Sequence, residues 1–437
     1  MTLIDLTAPA ARNRHLGTLP VAIIGAGPVG LAAAAQLNER GIDFVIYETG
    51  ERIASSLASW GHTRLFSPWK HLVDPAARRL LEADGWVQPS GQSLPTGSEL
   101  IDQYLAPLAA VDALSARIVT GTTVVAVSRH GMDRTRTAGR FSRPFVLRLA
   151  GPQGALAEVQ AAAVIDASGT YRHPNSLGSS GLDPLGLPEV ADLVSHALPD
   201  VLGAERQRFA GKHTVVVGAG HSAANTLVDL ARLAHEEPGT RITWLIRNKA
   251  AVRVLGSEHD ELQARASIGA RVGVLVASGA INQVDRFEIV RLERRGEGVD
   301  IVGSRRGGIE HCAADRIVNA TGFRPDLDML REIRLSLDDI VEAPRALAPL
   351  IDPNLHSCGT VPPHGVAELA QPERDFFIVG MKSYGRAPTF LLATGYEQVR
   401  SVADELAGDR EAARRVQLVL PATGACSTGG GDASSCC

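Results

Sequence analysis

Glycine spacing is the first chemistry that this 437-residue sequence offers. Gly25-Ala26-Gly27-Pro28-Val29-Gly30 is a full G-x-G-x-x-G. In such a run the first glycine permits a tight turn, the second lets backbone approach a pyrophosphate, and the third lets a helix pack on its strand. The helix that follows aims unpaired N–H groups and the positive end of its dipole at the phosphates. Eighteen residues past Gly30, Glu48 ends the strand Phe44-Val45-Ile46-Tyr47, placed to accept hydrogen bonds from a ribose 2′-hydroxyl. The alternative is a glycine turn with no ligand, and the strand-turn-helix-strand-acid order weighs against it.

The same device returns about 190 residues later as Gly218-Ala219-Gly220-His221-Ser222-Ala223. Ala223 stands where the third glycine was, and a methyl group there still allows close helix packing. The next strand, Ile242-Thr243-Trp244-Leu245-Ile246, ends in Arg247, with Lys249 two residues on. An acid at a strand end favours an unphosphorylated ribose, whereas a guanidinium suits a 2′-phosphate through charge-assisted, bidentate bonding. The first copy therefore reads as a site for FAD or NAD, and the second as a site for NADPH. For Arg247 the alternative is a solvated strand-end charge.

Thiols are the other candidate chemistry. Cys436 and Cys437 end the sequence in a Gly/Ser-rich tail that also holds Cys426. Adjacent mobile thiols can exchange electrons or wrap a soft, thiophilic ion. Cys358 lies between His356 and His364, where its pKa would fall, and the alternative is a small buried apolar residue. Cys358, Cys436 and Cys437 are catalytic candidates only under this thiol reading. A dithiol relay beside a flavin needs two sulfurs able to form one bond, yet neither C-x-x-C nor C-x-x-x-x-C occurs, which rules out a standard core-embedded disulfide reductase. Cys312, in the alternating segment Ile309–Ala314, reads as packing.

These residues need strands to hold them. Ala163–Asp166 runs into Ala167-Ser168-Gly169 and Arg316–Asn319 into Ala320-Thr321-Gly322, two apolar strands each ending in a small-Ser/Thr-Gly turn. That places Gly169 with the first site and Gly322 with the second. Each is preceded by a strand pair: Phe145–Leu149 with Ala157–Gln160, and Ile289–Glu293 with Val299–Val302. Phe376–Val379 then runs into Gly380, followed by a helical stretch at Leu391–Leu406, so the chain returns to its first unit. The expected fold is α/β with two Rossmann-like, three-layer dinucleotide-binding domains, the NADPH domain inserted in the FAD domain. Expected boundaries are 18–205 and 326–420 for the FAD domain, 206–325 for the NADPH domain and 421–437 for a flexible tail. At roughly 150 residues per domain the length allows about three domains, and the repeat reduces this to two.

Hydrophobic residues at 45% and charged residues at 21% describe a folded chain. A net charge of −4 gives no global field for nucleic acid or anionic lipid, and no apolar run approaches membrane-spanning length. No secretory leader is legible, so the expected location is cytoplasmic and the partner a small-molecule substrate, with no nucleic acid, no membrane, no metal, and the question of a homo-oligomer open.

With both glycine units, both small-Ser/Thr-Gly strand ends and the Gly380 loop in view, the chain resembles the two-dinucleotide-binding-domain flavoproteins over residues 18–420. Within them it looks like the group of flavin-containing, Baeyer–Villiger and N-hydroxylating monooxygenases. The resemblance implies FAD on Gly25, Gly27, Gly30 and Glu48, with Gly380 toward the ribityl or isoalloxazine end. Trp60 and the run Arg64–Trp69, Trp69 included, fall at the family's flavin-contacting loop. It also implies O₂ as a partner, with hydride delivery from NADPH and oxygenation through a flavin hydroperoxide. The F-x-G-x-x-x-H fingerprint is absent, and His196 reads as a surface-loop histidine. Lys70, Lys382, Tyr384 and Arg386, in flavin-side loops, are candidates for lining the pocket. The tail is similar to the vicinal cysteines of mercuric reductases and, loosely, to flavoproteins associated with arsenic resistance, which implies an alternative NADPH-flavin thiol reductase or metalloid-handling enzyme. A non-catalytic FAD/NADPH redox sensor is the third reading.

Overall fold

A computed structural model describes residues 16–251, 254, 263–353, 361–388 and 390–418. Val21–Ile24 (β1) is four apolar residues, all buried, the signature of a strand covered on both faces. It pairs in parallel with Phe44–Tyr47 (β2) and with Ala163–Asp166 (β7), Val21 standing opposite both Phe44 and Ala163. Ile118–Val119 (β3) and Phe376–Ile378 (β16) complete the sheet in the order β16-β7-β1-β2-β3. A strand from near the chain's end thus joins a sheet begun at residue 21.

The second parallel sheet has the same internal order. His213–Val217 (β9) lies between Arg241–Leu245 (β10) and Arg316–Asn319 (β15), with Asn282–Val284 (β11) and Val194–Ser195 (β8) at its edges.

In each unit one face of the parallel sheet carries helices and the other an antiparallel sheet. The helix Pro28–Glu39 opens with proline at its first position, where no N–H is needed. Its alanines let it lie tightly between β1 and the helix Leu392–Ala407, and residues 29–37 are all buried. The approach is tight at Gly395, where a Cβ would come within 2.8 Å of Val29 Cγ2. On the opposite face Ala22, Ile24 and Val164 pack against Val127, Phe145 and Leu147. The second unit repeats this: His221–Glu236 supplies Leu227 and Leu230 against Val216 and Trp244, while Val215 and Ile317 meet Leu292 and Ile301. This three-layer α/β arrangement is the expected fold class.

Each antiparallel sheet has three strands where a pair was expected. Thr123–Arg129 (β4) joins Phe145–Ala150 (β5) and Leu156–Ala161 (β6), and Gly308–Ala314 (β14), which carries Cys312, joins Glu288–Arg295 (β12) and Gly298–Arg305 (β13). The register of β4 slips between Val124 and Ala126. That bulge breaks the period-2 pattern from which a strand is read.

Candidate functional site

The chemistry collects at the carboxyl ends of the parallel strands. Gly25 follows β1 with φ +99°, and a Cβ on it would lie 2.9 Å from the Ala167 carbonyl oxygen and 3.1 Å from Ser168 Cα. Gly30 faces back on the same turn, where a Cβ would lie 2.0 Å from the Gly25 carbonyl oxygen. Gly27 is different, because a Cβ there would meet nothing within 4 Å. Its extended backbone starts the helix with no side-chain cap. Open space beside an uncapped helix start is what a pyrophosphate needs.

Glu48, just past β2 and 7% exposed, holds this turn in shape. Its Oε2 accepts from the Ala26 N–H at 2.8 Å, and Oε1 accepts from the Gly50 N–H at 2.8 Å and from Ser55 Oγ at 2.7 Å. Three of the roughly four acceptor positions of a carboxylate are filled, and the second on Oε2 suits a ribose hydroxyl. Gly169 after β7 (φ +71°) and Gly380 after β16 (φ +67°) stand at the neighbouring strand ends. Trp69 is 2% exposed in the first unit's core, and Trp60 packs half-buried against that core.

The second unit builds the turn with one change. A Cβ on Gly218 would lie 2.1 Å from the Ala320 carbonyl oxygen, whereas one on Gly220 would meet nothing within 4 Å. The helix from His221 also starts without a side-chain cap. Ala223 is fully buried. Its methyl group packs in the second unit's core, and the Gly218 carbonyl accepts from Trp244 Nε1 on β10 at 2.6 Å. Ser222 is half-buried, and its carbonyl accepts from Thr226 Oγ1 at 3.0 Å. Arg247, past the end of β10, is exposed and donates to the Ser179 carbonyl at 3.1 Å. A neutral carbonyl leaves the guanidinium charge available to an anion, and Lys249 is exposed two residues on. Gly322 (φ +96°) follows β15, with Asn175 Nδ2 3.2 Å from where its Cβ would be.

Several expectations change. Lys382 and Tyr384, expected to line a pocket, have side chains buried in the protein. Lys382 Nζ donates to Asp166 Oδ2 at 2.6 Å and to Ser168 Oγ at 3.1 Å, and Tyr384 packs edge-on against Phe390. Lys70 and Arg386 are exposed. His196 follows β8 directly. It is exposed in the loop after that strand, as expected, and its ring also lies 4.5 Å from Tyr171 and stacks on Phe323 at 5.4 Å. Cys312 is half-buried, and burial pushes its thiol up to about 11, consistent with packing. Cys358, Cys426, Cys436 and Cys437 lie outside the described residues.

Sequence reasoning missed a buried polar chain behind Gly380. The Gly380 N–H donates to Gln398 Oε1, while Gln398 Nε2 donates to Ser383 Oγ and meets His364 Nε2. His364 Nδ1 donates to the Pro362 carbonyl, which leaves Nε2 as the acceptor. Burial lowers the His364 pKa, which favours this neutral ring. The legible signal was polar residues, Gln398 and Ser401, on the core face of the last long helix.

Two parallel sheets, each bearing a glycine turn under an uncapped helix, define an α/β protein with two dinucleotide-binding units, the flavoprotein architecture anticipated from the motifs. The chain belongs to the pyridine nucleotide-disulphide oxidoreductase family, whose model matches residues 22–135 and 153–354. Among curated proteins it is 28% identical over 244 residues to indole-3-pyruvate monooxygenase YUCCA1 of Oryza sativa subsp. japonica, an alignment of 56% of this chain and 52% of that one. The chain thus spans about half the length of that relative. Among solved structures it is similar to bacillithiol disulfide reductase Bdr (YpdA) from Bacillus cereus, with TM-score 0.66, 19% identity and coverage of 89% and 99% of the two chains. It is also similar to a mutant flavin monooxygenase from Stenotrophomonas maltophilia, with TM-score 0.56, 22% identity and coverage of 89% and 98%. At these identities the structural likeness speaks for the fold alone. Among the described residues no helix is long and apolar enough to cross a membrane.

Proposed function

We propose that the chain is an FAD- and NADPH-dependent monooxygenase acting on a small molecule. Gly25, Gly27, Gly30, Glu48, Gly169 and Gly380 hold FAD, with Trp69 backing that site from the core, and Gly218, Gly220, Ser222, Ala223, Arg247 and Gly322 hold NADPH. The observation that carries this is one turn built twice with opposite endings, a buried carboxylate acceptor at Glu48 and an exposed guanidinium donor at Arg247. The open flanks at Gly27 and Gly220 fit the two pyrophosphates.

FAD, when bound, would supply the redox chemistry that couples NADPH oxidation to the reduction of O₂, one oxygen atom entering the substrate and the other leaving as water. The chain's part is to bind and orient. Glu48 accepts from the FAD ribose, the Gly27 and Gly220 backbones admit the phosphates, and Arg247 pairs with the 2′-phosphate. The absence of any C-x-x-C or C-x-x-x-x-C pair favours oxygenation over a core dithiol relay. The plant relative, an indole-3-pyruvate monooxygenase, agrees with this reading.

The test is NADPH oxidation by the yellow holoprotein across amines and ketones, with hydrogen peroxide measured alongside. Substrate-stimulated NADPH consumption with oxygen incorporated into product is expected. Consumption stimulated only by a disulfide or a trivalent metalloid would overturn oxygenation in favour of the thiol reading, and a colourless chain that FAD cannot reconstitute would overturn both. Val194–Ser195, expected in the first domain, pairs with β15 in the second sheet, and Leu177, Val190 and Leu193 pack in the second unit's core, so we further propose domain limits of about 18–174 with 326–420 for the FAD domain and about 175–325 for the NADPH domain in place of a first boundary at 205.

A further inference from the structure

We propose that Lys382 is a positioning residue for the flavin, setting the distance between the turn after β7 and the turn after β16 through a buried contact with Asp166 and Ser168. The inference rests on reading the first unit as the FAD site. Asp166 ends β7, and Lys382 lies two residues past Gly380, 216 positions away in sequence. Both side chains have no exposed surface. The Ser168 N–H and Oγ close back on Asp166 Oδ1 at 3.1 and 2.6 Å, so Lys382, Asp166 and Ser168 form one closed unit.

A buried ion pair contributes little to stability, because desolvating two charges offsets most of their attraction, and well-packed apolar replacements are often neutral or stabilising. What this pair supplies is geometry. At one end, Ala167 and Ser168 lie so close to the glycine turn that a Cβ on Gly25 would come within 2.9 Å of the Ala167 carbonyl oxygen and 3.1 Å of Ser168 Cα. At the other, Gly380 packs so closely on the helix start that a Cβ there would lie 3.2 Å from Val29 Cγ2. Neither turn has slack, so a change in the strut between them moves both. Lys382 has no surface with which to touch a cofactor, whereas Ser168 is exposed. The ammonium therefore acts through Ser168 and the Gly380 backbone.

The test compares Lys382→Met, Asp166→Leu and the double variant with the wild-type chain. It measures thermal unfolding, FAD dissociation by fluorescence, and the visible circular dichroism of bound flavin, which reports ring orientation. The single variants leave one charge buried alone and are expected to unfold at lower temperature. The double variant is expected to regain wild-type unfolding while its FAD dissociation constant stays at least about tenfold raised, roughly 1.4 kcal/mol, and its flavin dichroism stays altered. Recovery of wild-type affinity and dichroism in the double variant would reduce the pair to a structural contact and overturn the inference. If the wild-type chain itself binds no FAD, the reading of the first unit fails and the inference with it, an outcome distinct from wild-type binding with a fully restored double variant. Should the single variants not fold, the double variant alone decides.

Discussion

Arg247 and Glu48 occupy matching places at the ends of β10 and β2 and differ most in what they can do. Glu48 is locked by three donors and shapes its own turn, while Arg247 is exposed with a neutral carbonyl as its partner. A charge-assisted bond from Arg247 to a 2′-phosphate is worth about 1.5–3 kcal/mol. Arg247→Ala should therefore cut the kcat/KM preference for NADPH over NADH by about tenfold to a hundredfold, leaving NADH turnover within about twofold. The check is steady-state kinetics with both nucleotides.

The third-glycine positions differ just as sharply. Gly30→Ala would place a methyl group 2.0 Å from the Gly25 carbonyl, so the turn must open and flavin content per purified chain should collapse. Ala223→Gly removes a methyl group that already fits. It should cost about 0.5–1 kcal/mol of helix stability and leave flavin content unchanged, read from visible absorbance per chain.

At the scale of elements, the helix Pro75–Ala83 shows how a fold carries pH dependence away from its site. Its cap, Asp74, is fully buried and accepts from the Ala77 N–H at 2.8 Å and from Gln36 Nε2 at 2.9 Å. Burial outweighs these bonds and pushes the carboxyl up to about 6. The folded state then holds this proton over a range where the unfolded chain, titrating near 4, has released it. Stability from this group is present below about pH 4 and is lost as pH rises toward about 6, a total of about 3 kcal/mol. Asp74→Asn should flatten that slope in urea unfolding from pH 4 to 7. It should also lower stability at pH 4, where the wild-type carboxyl keeps its proton, because Gln36 Oε1 is held by Arg40 Nη1 and Gln36 cannot turn to meet the new amide.

Elements also mark how far the sequence could be read. Both glycine turns, the strands that start and close them, and the last long helix were legible because each is a compact local pattern. β4 was not, since its bulge shifts the alternation, and β14 was recognised only as packing. The burial of Lys382 was not legible, because its partner lies 216 positions away and nothing local distinguishes a buried lysine from an exposed one. The same holds for His364 and Gln398, whose meeting depends on how two distant segments pack.

Across the whole molecule, the two units are joined where the chain leaves the first and where it comes back. These crossings lie side by side: the Asn175 N–H donates to the Gly322 carbonyl and the Arg324 N–H to the His173 carbonyl, with Pro174 bridged to Phe323. Tyr171, His196 and Phe323 stack over this ribbon, so the aromatic residues that follow the two small-Ser/Thr-Gly turns touch one another. Such aromatic contacts are worth about 0.5–1.5 kcal/mol each. Phe323→Ala should speed hydrogen exchange at the Asn175 and Arg324 amides by about two- to tenfold and leave the amides of β1 and β9 as they were. Exchange rising equally in the cores would mean that the stack holds the units' interiors together and not the ribbon.

The adjacency of the two crossings limits how the halves can travel. A pair of tethers set far apart would resist turning in every direction, whereas two laid together act as one pivot pin. Swivelling about that pin would leave both crossings intact, whereas sliding or pulling apart would strain them. Any repositioning that brings a bound nucleotide toward the other half's ligand would then trace a single arc, with the aromatic stack as its bearing.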